Sequence, residues 1–134
     1  MPGADGGRTV EDGRVVVWRV GEVLLAARLS DTVEIAAVAS DGLAVSRSGR
    51  LEPRTPPGIA PPERPVRAVV VRVGDGEVAM AADEVLGIEP FTPEDSASVP
   101  SWLGALSAPH LARLVRLPDH RLAALLDLHA LPEA

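Results

Sequence analysis

The sequence predicts an all-β protein: two small barrels sharing a surface within one compact domain. Three observations predict this. Val15-Val-Val-Trp-Arg-Val-Gly21 and Ala68-Val-Val-Val-Arg-Val-Gly74 repeat at an offset of 53 residues, with Val20 matching Val73. Each segment runs into a glycine turn and a second apolar stretch, Val23–Ala27 and Val78–Ala82. Each return stretch leads to an acidic start and more apolar residues, Asp31-Thr-Val-Glu-Ile35 and Asp83-Glu-Val-Leu-Gly-Ile88. The length of 134 residues suits one domain.

The elements follow in order. Met1–Gly13 is Gly- and Asp-rich without an apolar stretch, which predicts a short disordered tail and no secretory signal. Period-two alternation places Val16, Trp18 and Val20, and likewise Val69, Val71 and Val73, on buried faces. Arg19 and Arg72 read as solvated. The return strands match at an offset of 55 (Val23 to Val78), so the second turn, built on Asp75-Gly76, is expected to be two residues longer. An insertion of two keeps every side chain on its face. Asp-Gly favours a tight turn because such turns need positive φ. Leu43–Val45, a turn at Arg47–Gly49 and Arg50–Leu51 predict a small hairpin. Pro53, Pro56, Pro57, Pro61, Pro62 and Pro65 then remove ladder donors, so residues 53–66 read as an extended spacer. Within it, Pro53-Arg-Thr-Pro56 and Pro62-Glu-Arg-Pro65 fit the PxxP pattern of polyproline-module ligands. Trp102–Leu106 suggests a short helical turn packed on a barrel. Leu111, Leu114 and Leu117 fit a helix stripe, whereas Leu117-Pro-Asp-His-Arg-Leu122 reads as a turn between strands. Propensity alone makes Leu122–Leu128 a helix. The domain therefore spans 14–134, with a first barrel portion over 14–52 and a second barrel with closing strands over 67–131.

Composition excludes several functions. The formal charge is -6, and all 13 basic residues are arginine. Lysine, asparagine, glutamine, tyrosine and cysteine are absent, which suggests a GC-rich, bacterial genome. Without cysteine there is no disulfide framework, thiolate metal site or cysteine nucleophile. An acidic chain with Trp18, Phe91 and Trp102 as its aromatics suits no nucleic acid. No apolar run reaches a membrane span, so the expectation is a cytoplasmic protein without direct membrane insertion.

No catalytic constellation emerges. Gly74-x-Gly76-x-x-Ala79 matches a dinucleotide fingerprint on paper and keeps a small nucleotide-binding enzyme open as an alternative. The first copy argues against it, because Gly21-Glu22 stands at the same place between the same flanks. His110, His120 and His129 lack metal-ligand spacing, and no serine sits in a Gly-x-Ser-x-Gly elbow. Asp83-Glu84 and Glu94-Asp95 are adjacent pairs, poorly placed for an acid/base dyad. The expectation is a protein without catalytic residues, metal or cofactor.

Together these segments resemble the CheW-like domain, the coupling module of bacterial chemotaxis. Val16-Val-Trp-Arg-Val-Gly-Glu22 resembles that family's first strand and turn, and Asp31-Thr-Val-Glu-Ile35 its Val-x-Glu-Ile signature. Glu77-Val-Ala-Met-Ala-Ala-Asp-Glu-Val-Leu-Gly-Ile88 matches the return strand of the second barrel and its Asp-x-Val. Leu111–Leu131 resembles the closing segment, with Asp119 and Arg121 in the turn, which favours strands there over a helix. Three departures stand out. Ser46-Arg-Ser-Gly49 replaces an Asn-Leu-Arg-Gly turn, the segment leading into it is short, and Arg113 stands at a usual glycine.

The resemblance implies two five-stranded SH3-like barrels sharing an interface, with short helical turns and a reduced first barrel. It implies an adaptor that couples a chemoreceptor's cytoplasmic tip to the regulatory domain of a CheA-type histidine kinase, with other CheW-like domains as further partners. A single-partner binder on the same fold is the alternative. The receptor groove would lie near Val33, Glu34, Ile35, Arg47 and Gly49. Val33 and Ile35 are β-branched and read equally well as core; Glu34 and Arg47 read equally well as plain surface charges.

Overall fold

In the computed structural model, residues 13–56, 59–90, 96–98, 111–117 and 121–126 are described. The expected tail apart from Gly13, Trp102–Leu106, the three histidines, Glu94-Asp95 and Asp119 lie outside them. The strands are β1 (Arg14–Val20), β2 (Val23–Arg28), β3 (Thr32–Val38), β4 (Ala44–Ser46), β5 (Gly49–Leu51), β6 (Arg67–Val73), β7 (Gly76–Ala82), β8 (Glu84–Pro90), β9 (Ser96–Ser98), β10 (Leu111–Arg116) and β11 (Leu122–Leu126). A 3-10 turn, Leu29–Asp31, joins β2 to β3. The all-β class is therefore observed, and within the closing segment Leu111–Arg116 and Leu122–Leu126 are strands despite the leucine stripe.

Two sheets form, in the orders β8-β1-β2-β11-β10-β9 and β5-β4-β3-β6-β7. They match two SH3-like barrels, but they do not divide at the spacer. Each copy starts with a hairpin, β1-β2 or β6-β7, and its third strand leaves for the other copy. β3 pairs with β6, and β8 pairs with β1. The exchange is reciprocal and keeps one register. Ile35 faces Val69 as Ile88 faces Val16, and both pairings carry a β-bulge, at Val33 in one and Leu86 in the other.

Strand alternation builds three core layers. Val16, Trp18, Val20, Leu25 and Ala27 meet Val69, Val71, Met80 and Ala82 between the sheets. The opposite faces of β1 and β2 fill the six-stranded sheet's own core, with Val15, Val17, Ala26, Val115, Leu117, Ala123 and Leu125. The five-stranded sheet's core is smaller: Ala36, Ala44, Ala68, Val70 and Ala79. The two residue sets expected on buried faces, Val16, Trp18 and Val20 with Val69, Val71 and Val73, thus face the shared layer, and β1 is buried on both sides.

The two hairpins differ from expectation at one turn. Val20 faces Val23 and Val73 faces Gly76, so both turns are two residues, Gly21-Glu22 and Gly74-Asp75. Both glycines adopt left-handed φ, 59° and 60°. The offset of 53 therefore holds through the return strands, and the longer Asp75-Gly76 turn is corrected. β7, not a helix, follows Gly74. The geometry a pyrophosphate needs, a loop feeding a helix N-terminus, is absent at that motif.

The two sheets close differently, and the difference has a physical cause. β11 lies parallel on β2 and closes the six-stranded side. On β7 the equivalent closure is a single bridge: Arg54 N donates to Ala79 O at 2.8 Å, and Ala81 N donates to Arg54 O at 2.7 Å. The next residue pointing the same way is Pro56, which has no N–H. Pro56 is buried and Ile59 packs against the shared layer, so this stretch is partly inserted rather than simply laid over the surface. The two PxxP segments differ in their surroundings. The first is bonded to β7 and buried at Pro56; the second bends at Glu63 and Arg64.

Candidate functional site

β4 and β5 are joined by the two-residue loop Arg47-Ser48, since Ser46 faces Gly49. Short strands hold such a loop weakly, and side chains supply the rest. Ser46 Oγ donates to Gly49 O at 3.0 Å. Arg47 N donates to Glu34 Oε2 at 3.0 Å, which ties the loop to β3. Ser48 Oγ donates to Glu77 Oε1 at 2.6 Å, which ties it to β7. Gly49 has φ 131°, a region open in practice to glycine. The structure thus brings together Glu34, Arg47 and Gly49 of the expected set. The Arg47 guanidinium makes no hydrogen bond or ion pair among the described residues.

Register then defines the surface beside this loop. Ile35 and Ala37 share one face of β3; Val45 and Arg67 flank Ala37, and Arg50 flanks Val45. Ile35 is 43% and Val45 47% exposed. An apolar strip therefore runs over β3 and β4, framed by Arg50 and Arg67. Arg50 pairs with Asp41, and Arg67 Nη1 donates to Val66 O at 3.0 Å. Ile35 points as Val69 does, toward the space between the sheets. Ile88 on β8 points into the same space, as its partner Val16 does, and is 54% exposed. Val33 is different. It is the bulged residue of β3 and packs against the small core of the first barrel. Of the two open readings, core holds for Val33 and surface for Ile35.

Elsewhere, Asp83 and Glu84 are engaged with the β1–β2 hairpin. Gly21 N donates to Asp83 Oδ2 at 2.6 Å, and Asp83 N donates to Arg19 O at 2.8 Å. Arg19 lies 3.9 Å from Asp83 and 3.6 Å from Glu84, and its Nη1 donates to Gly21 O. Arg19 is therefore held, not simply solvated. Among the described residues no cluster of three or more potential ligands could hold a metal ion, and no helix is long and apolar enough to cross a membrane.

The CheW-like domain family matches residues 47–134, well over half of the chain. The chain belongs to the CheW-like domain family. A solved structure agrees in fold: the scaffolding protein TtCheW from Thermoanaerobacter tengcongensis superposes with a TM-score of 0.71 at 15% identity, over 92% of this chain and 94% of that one. No curated protein matches in sequence. For a CheW-like domain the altered turn is informative. Ser46 and Ser48 make the loop's stabilising bonds in a chain that has no asparagine. Val45, Glu77 and Ile88 escaped the sequence reading of the site. Ile88 had a signal, since it stands 53 residues after Ile35. Val45 and Glu77 had none, because strand neighbours are not written in alternation.

Proposed function

We propose that this CheW-like chain is a non-catalytic cytoplasmic adaptor that couples a chemoreceptor tip to the regulatory domain of a CheA-type histidine kinase. The observation that carries the reading is the exposed strip of Ile35 and Val45, framed by arginines and opened toward the inter-sheet space that Ile88 also faces. A helix with apolar residues at i, i+3 or i+4 and acidic flanks suits such a surface. The arginine frame on a chain of net charge -6 supplies local complementarity for acidic flanks. Docking at the barrel ends by the kinase, or by another CheW-like domain, would leave the strip free. Two modest contacts held together then give array strength by multivalency.

The test is co-sedimentation of the full chain with a receptor cytoplasmic fragment and a CheA-type kinase. A ternary complex is expected, and Ile35→Asp should weaken receptor capture at least about tenfold, as for a central apolar anchor. Failure of both partners to bring the chain down overturns the reading. The short β4 and β5 and the single-bridge closure favour one second reading, a single-partner binder. A ternary complex would exclude it.

A further inference from the structure

The reciprocal exchange of third strands has a topological property that the adaptor reading does not use. Cross-half strand pairing is carried by β3 with β6 and by β1 with β8. β11 on β2 and Arg54 on β7 also cross the halves. The shared core layer is built from both halves as well. Residues 14–59 and 66–126 therefore complete each other's sheets, and the chain links them through Ala60–Pro65. That link is weakly held. Among the described residues, Ala60–Pro65 make no hydrogen bond, while the neighbours on either side do: Ile59 N donates to Pro56 O, and Val38 N donates to Val66 O. Ala60, Pro61, Glu63 and Arg64 are exposed. Pro61, Pro62 and Pro65 fix φ and favour an extended chain over a tight return.

We infer that two copies of this chain exchange halves through Ala60–Pro65 to form a closed, strand-swapped dimer. In it, residues 14–59 of one copy complete residues 66–126 of the other. The partner is a second copy of the chain, because the surface each half needs exists on the same sequence. Every strand pair and core contact of the monomer is kept, so the two forms differ mainly in the path of six link residues. Intramolecular closure competes at an effective concentration on the order of millimolar, which makes the monomer dominant when dilute. The dimer carries each docking surface twice and would bridge two binding sites that a monomer serves one at a time. The inference is independent of which partner docks.

The chain has no cysteine, so one engineered pair reports which copy completes which. Because Val38 and Val66 form a hydrogen-bonded pair, the adjacent Ala37 and Arg67 form a non-bonded pair, where side chains approach most closely. The doubly substituted full-length chain (Ala37→Cys with Arg67→Cys) is unfolded, refolded at concentrations from micromolar to millimolar, and then oxidised. Expected is an intrachain disulfide at low concentration. As concentration rises, a covalent dimer with no free thiol and the same far-UV spectrum should grow. Deleting Ala60–Arg64 should make that dimer the major species even when dilute. If the full-length protein remains intrachain-bonded at every refolding concentration, the exchange is refuted, whatever the deletion does. Single-cysteine controls that dimerise equally well would refute it too.

Discussion

Asp83 holds the β1–β2 turn through a carboxylate that accepts the Gly21 N–H at 2.6 Å. A hydrogen bond to a charged group contributes more than a neutral one, but this side chain is partly solvated. Asp83→Ala should therefore lower the unfolding free energy by about 1–2 kcal/mol in urea titrations. Arg19→Ala, which removes exposed ion pairs, should cost about 0–1 kcal/mol. Glu34 offers a second residue-scale test. Glu34→Gln keeps an acceptor for the Arg47 amide, and Glu34→Ala removes it. Amide exchange at Arg47 should accelerate in the alanine variant and stay near wild type in the glutamine variant, with the melting temperature moving little in either. At this scale the sequence was informative about polar residues and poor about apolar ones. Glu34 and Arg47 were expected together and are bonded, though through the Arg47 backbone. Val33 was ambiguous because a bulge turns it into the barrel, and a bulge leaves no mark on the valine pattern.

The two hairpins behave as one element used twice. Gly21 and Gly74 have the same left-handed φ, and an added Cβ would meet no atom within 4 Å at either. Substitution there costs backbone strain alone, so Gly21→Ala and Gly74→Ala should each destabilise by about 1–2 kcal/mol. Thermal melts of both variants check this; a marked inequality would show that one turn carries some further constraint. The position of the second turn was not legible. Offsets of 53 and 55 place identical residue types on identical faces, so alternation cannot choose between them. Glycine in the left-handed region chooses, and it favours Gly74-Asp75. The strands of the closing segment were legible by resemblance rather than propensity. Leu122–Leu126 is a good helix former that becomes a strand because β2 offers it a parallel edge and two buried faces nearby.

For the molecule as a whole, the shared layer predicts that the two barrels unfold as one cooperative unit. Trp18 sits at 0% exposure in that layer, between strands of both sheets. Among the described residues its indole Nε1 is a buried donor without a partner, so its contribution is packing. Trp18→Ala should cost about 3–5 kcal/mol, and urea unfolding should still show one transition rather than two. Two separate transitions would mean that the barrels fold apart. Alternation and the repeat revealed the number of units and their buried faces. They were silent on which strand neighbours which, since periodicity fixes a face and says nothing of a partner. The crossing of β3 and β8 is thus information held in three dimensions alone. That crossing also turns the molecule into its own control. Strands β1 to β3 have counterparts 53 positions on in β6 to β8, in the same register and beside the same bulge: Ile35 with Ile88, Val33 with Leu86, Gly21 with Gly74. Backbone pairing treats the two members of such a pair alike. A binding partner reads them against different neighbours, so the difference between paired substitutions isolates recognition from stability within one polypeptide.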